Sequence, residues 1–196
     1  TGLRGSSFTL SGVAGSGQPS TRSRPNAIQI ITEGTAADSD GDGLPDEWET
    51  ENGLDPSDNG DVDPDNGASG DPDGDSLANI DEFGRDTDPN DTDTDDDNLS
   101  DAVENNTGLY VSPDNTGTNP LKPDTDGDTL NDGVEIEENP FFSDPNQVDT
   151  DGDGLDDASE VDANPYATNP SLQDTDDDGF NDALEIRVGS DPTDQE

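Results

Sequence analysis

A twelve-residue acidic pattern recurs six times along the chain and constrains its fold more than any other feature. The stretch 149–160 reads DTDGDGLDDASE, and the other copies read DSDGDGLPDEWE, DPDGDSLANIDE, DTDDDNLSDAVE, DTDGDTLNDGVE and DTDDDGFNDALE. Carboxylates a few ångströms apart repel one another, so a compact structure needs compensating positive charge. The chain has 52 Asp and Glu but only 6 Lys and Arg, for a formal net charge of −46. A compact fold therefore needs positive charge from outside the chain.

The composition by itself is typical of a disordered chain. Only 23% of the 196 residues are hydrophobic and 4% aromatic. That is too little to bury a core that would offset the ordering entropy of a domain of this length. Low hydrophobicity with high net charge is the signature of disorder. The regular spacing of the acidic loops is what favours an ordered structure.

The spacing predicts calcium loops. Every copy has oxygen-bearing side chains at positions 1, 3, 5 and 9, a leucine or phenylalanine at position 7, and glutamate at position 12. This is the spacing of an EF-hand loop, in which position 7 offers its backbone carbonyl and the final glutamate binds through both oxygens. Calcium takes six to eight oxygens at about 2.3 to 2.6 Å, and such a roomy shell favours it over magnesium. We expect about six calcium ions or more.

The spacing predicts six metal ligands in each loop. In the first three loops (38–49, 71–82 and 93–104) they are Asp38, Asp40, Asp42, Leu44, Asp46 and Glu49; Asp71, Asp73, Asp75, Leu77, Asn79 and Glu82; and Asp93, Asp95, Asp97, Leu99, Asp101 and Glu104. In the last three loops (124–135, 149–160 and 174–185) they are Asp124, Asp126, Asp128, Leu130, Asp132 and Glu135; Asp149, Asp151, Asp153, Leu155, Asp157 and Glu160; and Asp174, Asp176, Asp178, Phe180, Asp182 and Glu185.

Two loops depart most from the ideal pattern. Position 6 needs a sharp turn that glycine eases, and three loops have another residue there: Ser76, Asn98 and Thr129. Asn tolerates a left-handed conformation better than Ser or Thr. The second loop also has Asn79 in place of aspartate at position 9. We therefore expect the second and fourth loops to be the weaker sites.

The segments around the loops predict a fold class. Prolines in the approaches NPLKP, DPNQV and NPSLQ forbid the entering helix of a true EF-hand. After the loops, EWETEN, DAVENN, GVEIEEN and ALEIRVG have apolar residues at helical spacing and stop at Gly or Asn. The prediction is a set of calcium-stapled tandem repeats, mostly irregular loops with short helical turns after each loop, whose ions replace a hydrophobic core.

A proline turn links each repeat to the next. Asp-Pro or Asn-Pro begins four such turns, at 88–93, 119–124, 144–149 and 169–174, each with an acidic residue four positions after the proline. Two interpretations remain open. These Asp and Asn residues form ordinary Asx-Pro turns, or they supply oxygens to the ion of a neighbouring repeat.

The loops and the segments GTNPLKPD, ATNPSLQD and GSDPTDQE resemble the bacterial form of the thrombospondin type 3 repeat, from about residue 38 onward. The resemblance implies calcium-binding repeats outside the cell, with little conventional secondary structure because the chain wraps around its ions. Animal members have disulfides, whereas this chain has no cysteine, so stapling would come from metal alone. A dockerin fits poorly, because that family has paired repeats and usually aspartate at position 12.

The first 37 residues differ from the remainder of the chain. SSFTLSGV and NAIQIIT read as two strands with a long connection, in a segment whose net charge is mildly positive. The prediction is therefore a β segment at 1–37 and six tandem calcium-binding repeats at 38–196. Two strands alone are not stable in water, so they belong to a larger β domain or pair with another molecule.

Two assemblies are compatible with this organisation. A basic strand-forming head and an acidic tail favour head-to-tail self-association through residues 1–37, which generates a filament if the contacts do not close. The alternative is a monomeric calcium-rigidified stalk or spacer in a larger surface or secreted protein, either an adhesin or an enzyme. The chain starts at Thr1 without a signal sequence, which suggests a processed protein or a fragment.

The sequence also predicts what the chain does not do. It has no histidine and no cysteine, and it offers no apolar cleft that could separate the pKa values of paired carboxylates, so we expect no catalysis within this chain. Its charge should repel nucleic acid, and no apolar run is long enough for membrane insertion. Cytosolic calcium is too scarce for low-affinity sites, so we expect an extracellular or cell-surface location.

Overall fold

The computed structural model of the chain describes residues 36–137, 141–162 and 166–195. The chain divides into two units, Thr1–Thr35 and Ala36–Glu196. The two predicted strands and the predicted self-association segment at 1–37 fall almost wholly in the first unit, which lies outside the described residues. The helices, loops and contacts of the structure therefore belong to the second unit.

The described part of the chain is mostly irregular loops and turns with a few short helices, as the sequence predicts. Within these ranges, β structure is limited to an isolated antiparallel bridge between Ser112 and Asn115. No described helix is long and apolar enough to cross a bilayer. The helices are α1 (Asp46–Glu51), α2 (Asn79–Arg85), α3 (Asp132–Ile136), α4 (Asp157–Val161) and α5 (Asp182–Val188).

Each helix begins at position 9 of a loop because position 8 holds an extended backbone that separates the loop from the helix. In α4 and α5, the position-8 side chains of Asp156 and Asn181 also cap the helix by accepting hydrogen bonds from backbone N–H groups of the first turn, at 2.7 and 2.9 Å. Acidic residues at positions 9 and 12 then lie in the first turn, where the helix dipole favours them. Helices α2 and α5 end at residues in the left-handed region, Asp86 (φ 64°) and Gly189 (φ 85°).

The predicted helical turn DAVENN after the third loop is wrong, because its backbone carbonyls have other partners. The guanidinium of Arg85 donates hydrogen bonds to the carbonyl oxygens of Asp101 and Glu104, both at 2.8 Å. The Val103 carbonyl oxygen accepts the N–H of Thr116 at 3.0 Å. These contacts hold the backbone of 101–104 against neighbouring segments, and the segment forms a turn instead.

The buried side chains are mostly acidic and polar. Buried hydrophobic residues in the described ranges are few, and they are Leu44, Leu54, Leu77 and Leu99. The acidic residues at position 12 of all six loops are buried, as are several at positions 5 and 9. Between repeats, the rings of Trp48 and Phe83 meet edge to face at 5.6 Å, which joins α1 to α2. The hydrophobic side chains thus form small contacts, such as this partly exposed pair, and not one core.

A close backbone contact joins the third loop to α3. Gly133 is the second residue of α3 and is buried, and a Cβ there would overlap the carbonyl oxygen of Asp97. Gly84, near the end of α2, faces open space. These two helical glycines therefore differ in their surroundings and not in their secondary structure.

We expect Gly133→Ala to destabilise the protein, although alanine favours a helix by about 1 kcal/mol over glycine. The overlap forces α3 away from the third loop, at a cost of about 1 to 3 kcal/mol, which exceeds the gain in helix propensity. Gly84→Ala is the matched control and should raise the free energy of unfolding by about 0.5 to 1 kcal/mol. Urea unfolding in excess calcium measures both; equal shifts for the two variants would contradict the contact.

Candidate metal centres

Each loop turns sharply at two positions where the backbone is left-handed. Position 6 has φ between 78° and 107° in all six loops, including those without glycine there. Position 4 has φ between 62° and 91°. The turn at position 6 was predicted from the sequence, whereas the turn at position 4 was missed, although glycine or aspartate occupies it in every copy. Both residue types tolerate this conformation, so the signal was present.

These turns orient the carboxylates at positions 1, 3 and 5 toward a common point. In every loop the position-5 carboxylate accepts the N–H of position 7, at distances from 2.6 to 2.9 Å. Position-1 carboxylates accept N–H groups of position 4 or 6 in the same manner, as Asp149 does from Gly152 at 2.8 Å and Gly154 at 3.1 Å. In the first four loops, one ligand oxygen from each of positions 1, 3 and 5 lies within 4.8 Å of the others. The loop backbone thus holds three carboxylates together against their repulsion.

The position-12 glutamates add a buried carboxylate to each loop. All six are buried, with 0 to 4% of their surface exposed. Buried oxygens without a hydrogen-bond partner occur at both positions 3 and 12 of every loop: on Asp40, Asp73, Asp95, Asp126, Asp151 and Asp176, and on Glu49, Glu82, Glu104, Glu135, Glu160 and Glu185. A buried unpaired carboxylate oxygen is costly, so each loop has oxygens that require a partner.

The electrostatics of the loops point to the same requirement. Burial, with added repulsion from the carboxylates of the same loop, raises the pKa of Glu49 to about 7, of Glu82 and Glu160 to about 8, and of Glu104 and Glu135 to about 9. Burial likewise raises the pKa of the position-3 groups in four loops to about 6, namely Asp73, Asp95, Asp126 and Asp151. A divalent cation bound among these oxygens would lower the free-energy cost of keeping the buried carboxylates ionised. The donor set contains oxygen alone, which suits a hard cation such as calcium.

The position-9 aspartates have partners inside their own loops. In the fourth loop, the Asp132 carboxylate accepts the N–H of Thr125 at 2.8 Å and its hydroxyl at 2.7 Å. The same pair forms between Ser39 and Asp46, Thr94 and Asp101, Thr150 and Asp157, and Thr175 and Asp182. The second loop has proline at position 2, and Asn79 instead donates to the carbonyl oxygens of Asp65 and Gly67. This coupling between positions 2 and 9 was not predicted from the sequence.

The linking turns are Asx turns in the structure. At Asn169, the side-chain oxygen accepts the N–H of Ser171 at 3.1 Å, and the backbone N–H donates to the hydroxyl of Thr175 at position 2 of the next loop, at 2.9 Å. These contacts form the turn, and whether the same side chains also bind an ion stays a prediction. The residue before the turn also contacts the preceding loop, since the hydroxyl of Thr168 donates a hydrogen bond to the Glu160 carboxylate at 3.0 Å. Ser143 does the same for Glu135, at 2.9 Å.

Thr129 provides a test of backbone strain in the fourth loop. It has φ of 93° at position 6, where the fifth loop has Gly154 at 107°. A left-handed conformation costs an L-residue about 1 to 2 kcal/mol, and a β-branched residue is a marked outlier there.

We expect Thr129→Gly to strengthen metal binding at the fourth loop by about five- to tenfold, because about 1 kcal/mol of strain disappears from the ordered state. The converse change in the fifth loop, Gly154→Thr, should weaken that loop by a similar factor. Calorimetric calcium titration of both variants measures this. No change in either variant would mean that position 6 carries no strain.

Comparison with models of known protein families, with curated proteins and with solved structures finds no match. The resemblance to thrombospondin type 3 repeats therefore stays a prediction that rests on the loops and turns themselves.

Proposed function

We propose that this chain is an extracellular calcium-binding structural protein in which about six ions take the place of a hydrophobic core. The observation that carries the proposal is the pair of buried, unpaired carboxylate oxygens at positions 3 and 12 of every loop. Structural binding fits better than catalysis, because a calcium ion enclosed by protein oxygens leaves no open position for a reacting water. The thrombospondin-like loop pattern belongs to the same proposal.

The charges support calcium over a neutral ligand. The position-12 groups are carboxylates that burial makes costly to ionise, and the chain has only 6 basic residues to compensate its acidic ones. In the described ranges, the cationic Arg85 donates its hydrogen bonds to backbone carbonyls and not to a loop carboxylate. Metal ions are then the source of positive charge that the loops lack.

A count of bound calcium tests the proposal. Equilibrium dialysis of the full chain against millimolar calcium, followed by metal analysis, should give about six ions per chain. Glu160→Gln removes one buried position-12 carboxylate and should lower the count by about one, whereas Glu47→Gln, on the exposed side of α1, should leave it unchanged. A chain that binds no calcium at millimolar concentration would overturn the proposed function.

For the assembly, we propose a head-to-tail fibre subunit that uses residues 1–37 as the self-association segment. The support is the charge contrast between that segment and the repeats, together with its strand-like pattern. The second candidate is a monomeric stalk within a larger surface protein.

Negative-stain microscopy with calcium distinguishes the two candidates. A fibre subunit elongates into threads, and deletion of residues 1–37 abolishes the elongation while calcium binding stays intact. A stalk stays monomeric in both forms.

A further inference from the structure

The position-9 carboxylate of the fourth loop lies beside the third loop. Ligand oxygens of Asp97, Glu104 and Asp132 lie within 4.8 Å of one another, and all three residues are buried. Asp97 and Glu104 are positions 5 and 12 of the third loop, whereas Asp132 opens α3 in the next repeat. This cluster therefore crosses the junction between two repeats.

Two members of the cluster have a buried oxygen without a partner. The Oδ2 atom of Asp97 is unpaired, and the hydroxyl of Thr118 beside Glu104 can donate to only one of its two carboxylate oxygens; both side chains are 0% exposed. Asp132 accepts two hydrogen bonds from Thr125, which fix its orientation. A carboxylate has about four lone-pair sites, so Asp132 keeps acceptor capacity toward the third loop.

The third loop's own position-9 residue is held by position 2 of the same loop, and the cluster contains Asp132 and not Asp101. The Asp101 carboxylate accepts the N–H and hydroxyl of Thr94, at 3.0 and 2.6 Å.

The junction between the third and fourth repeats has a feature that frees Asp97. At three other junctions, the position-5 carboxylate accepts the N–H of position 10 in the next repeat: Ala102 to Asp75 at 3.0 Å, Ala158 to Asp128 at 3.0 Å, and Ala183 to Asp153 at 2.8 Å. Position 10 of the fourth loop is Gly133, which packs on the Asp97 backbone instead. The Oδ2 atom of Asp97 is left for another partner.

We propose that the cation of the third loop is bound across the repeat junction, with Asp132 of the next repeat in place of the loop's own Asp101. The inference rests on the proposed calcium-binding function and specifies which repeat completes the site. It makes adjacent repeats thermodynamically dependent, because binding at the third loop requires α3 in its docked position. The ions would then link adjacent repeats in addition to ordering each loop.

The test monitors the third and fourth loops separately in the full chain. Backbone amide NMR signals of Asn98 and Thr129 report the calcium midpoints of the two loops. Asp132→Asn should raise the third-loop midpoint at least tenfold relative to the fourth-loop midpoint. If the fourth-loop midpoint rises and the third stays in place, position 9 serves its own loop and the inference is overturned; it is also overturned if neither midpoint changes.

Glu137→Gln is the matched control. Glu137 follows α3 directly, is exposed and is not a predicted ligand, so this change removes one carboxylate beside the same helix without touching the cluster. We expect the third-loop and fourth-loop midpoints to change less than threefold. A third-loop loss equal to that in Asp132→Asn would overturn the inference.

Thr125→Val keeps the test informative if Asp132→Asn does not fold. It removes the hydroxyl that donates to Asp132 and accepts the N–H of Asn119, and it should raise the third-loop midpoint several-fold with unchanged circular dichroism in excess calcium. A shift confined to the fourth loop would again overturn the inference. If the unaltered chain binds no calcium, the proposed function is wrong. If it binds calcium but Asp132→Asn and Thr125→Val leave the third-loop midpoint unchanged, only the shared site is wrong.

Discussion

Chelation of divalent cations at neutral pH is expected to unfold the region 36–195. Every loop has unpaired buried carboxylate oxygens, and each such group costs about 1 to 3 kcal/mol without a partner. Summed over six loops, this cost is at least comparable with the net stability of about 5 to 15 kcal/mol typical of a domain. The few buried leucines do not offset such a cost. Metal binding and folding are therefore one equilibrium.

Small-angle scattering measures this transition directly. Without cations, the chain should approach the radius of gyration of an unfolded chain of its length, about 47 Å. Restoring calcium should reverse the expansion, whereas magnesium at equal concentration should not, because magnesium keeps its waters and demands a tighter octahedron. Identical scattering profiles with chelator and with calcium would show that the loops hold their shape unaided.

Acid is expected to order the metal-free chain, the reverse of ordinary acid denaturation. Burial raises the pKa of the position-12 glutamates from the usual 4.5 to between about 7 and about 9 in five loops. The folded state then binds more protons than the unfolded state between pH 4.5 and 9. The free energy of unfolding therefore falls as pH rises through this window, by at most about 1.4 kcal/mol per pH unit for each such group. At pH 5 to 6, bound protons should therefore neutralise part of the buried carboxylate charge that calcium neutralises at pH 7.

Circular dichroism and scattering of the chelated chain between pH 8 and pH 5 test this expectation. Compaction should begin above pH 5, before ordinary exposed carboxylates take up protons. Glu104→Gln mimics the protonated group, so it should stabilise the metal-free chain at pH 7 while it weakens calcium binding. Glu47→Gln removes an exposed carboxylate and should change neither property. Expansion of the metal-free chain on acidification would contradict the sign of these pKa shifts.

Much of each loop was predictable from sequence because its geometry is local. The positions of the carboxylates fix which oxygens converge, and the hydrogen bonds that hold them run between residues two to five positions apart, as from Leu155 to Asp153. The start of each helix at position 9 is also local, since it depends on the extended residue at position 8. The missing helix after the third loop was not predictable, because it depends on Arg85 from the preceding repeat.

Sequence alone established the twelve-residue spacing, the acid excess that rules out a conventional core, and the residues that can offer oxygens to a cation. The docking of the repeats established which carboxylates are buried without a partner, and that Asp132 lies beside the loop before its own. Ligand convergence within a loop is set by short-range backbone turns, whereas burial and contact across a junction depend on how successive repeats pack together. Glycine has a low helix propensity, and the structural reason for Gly133 in α3 is its close contact with the backbone of Asp97.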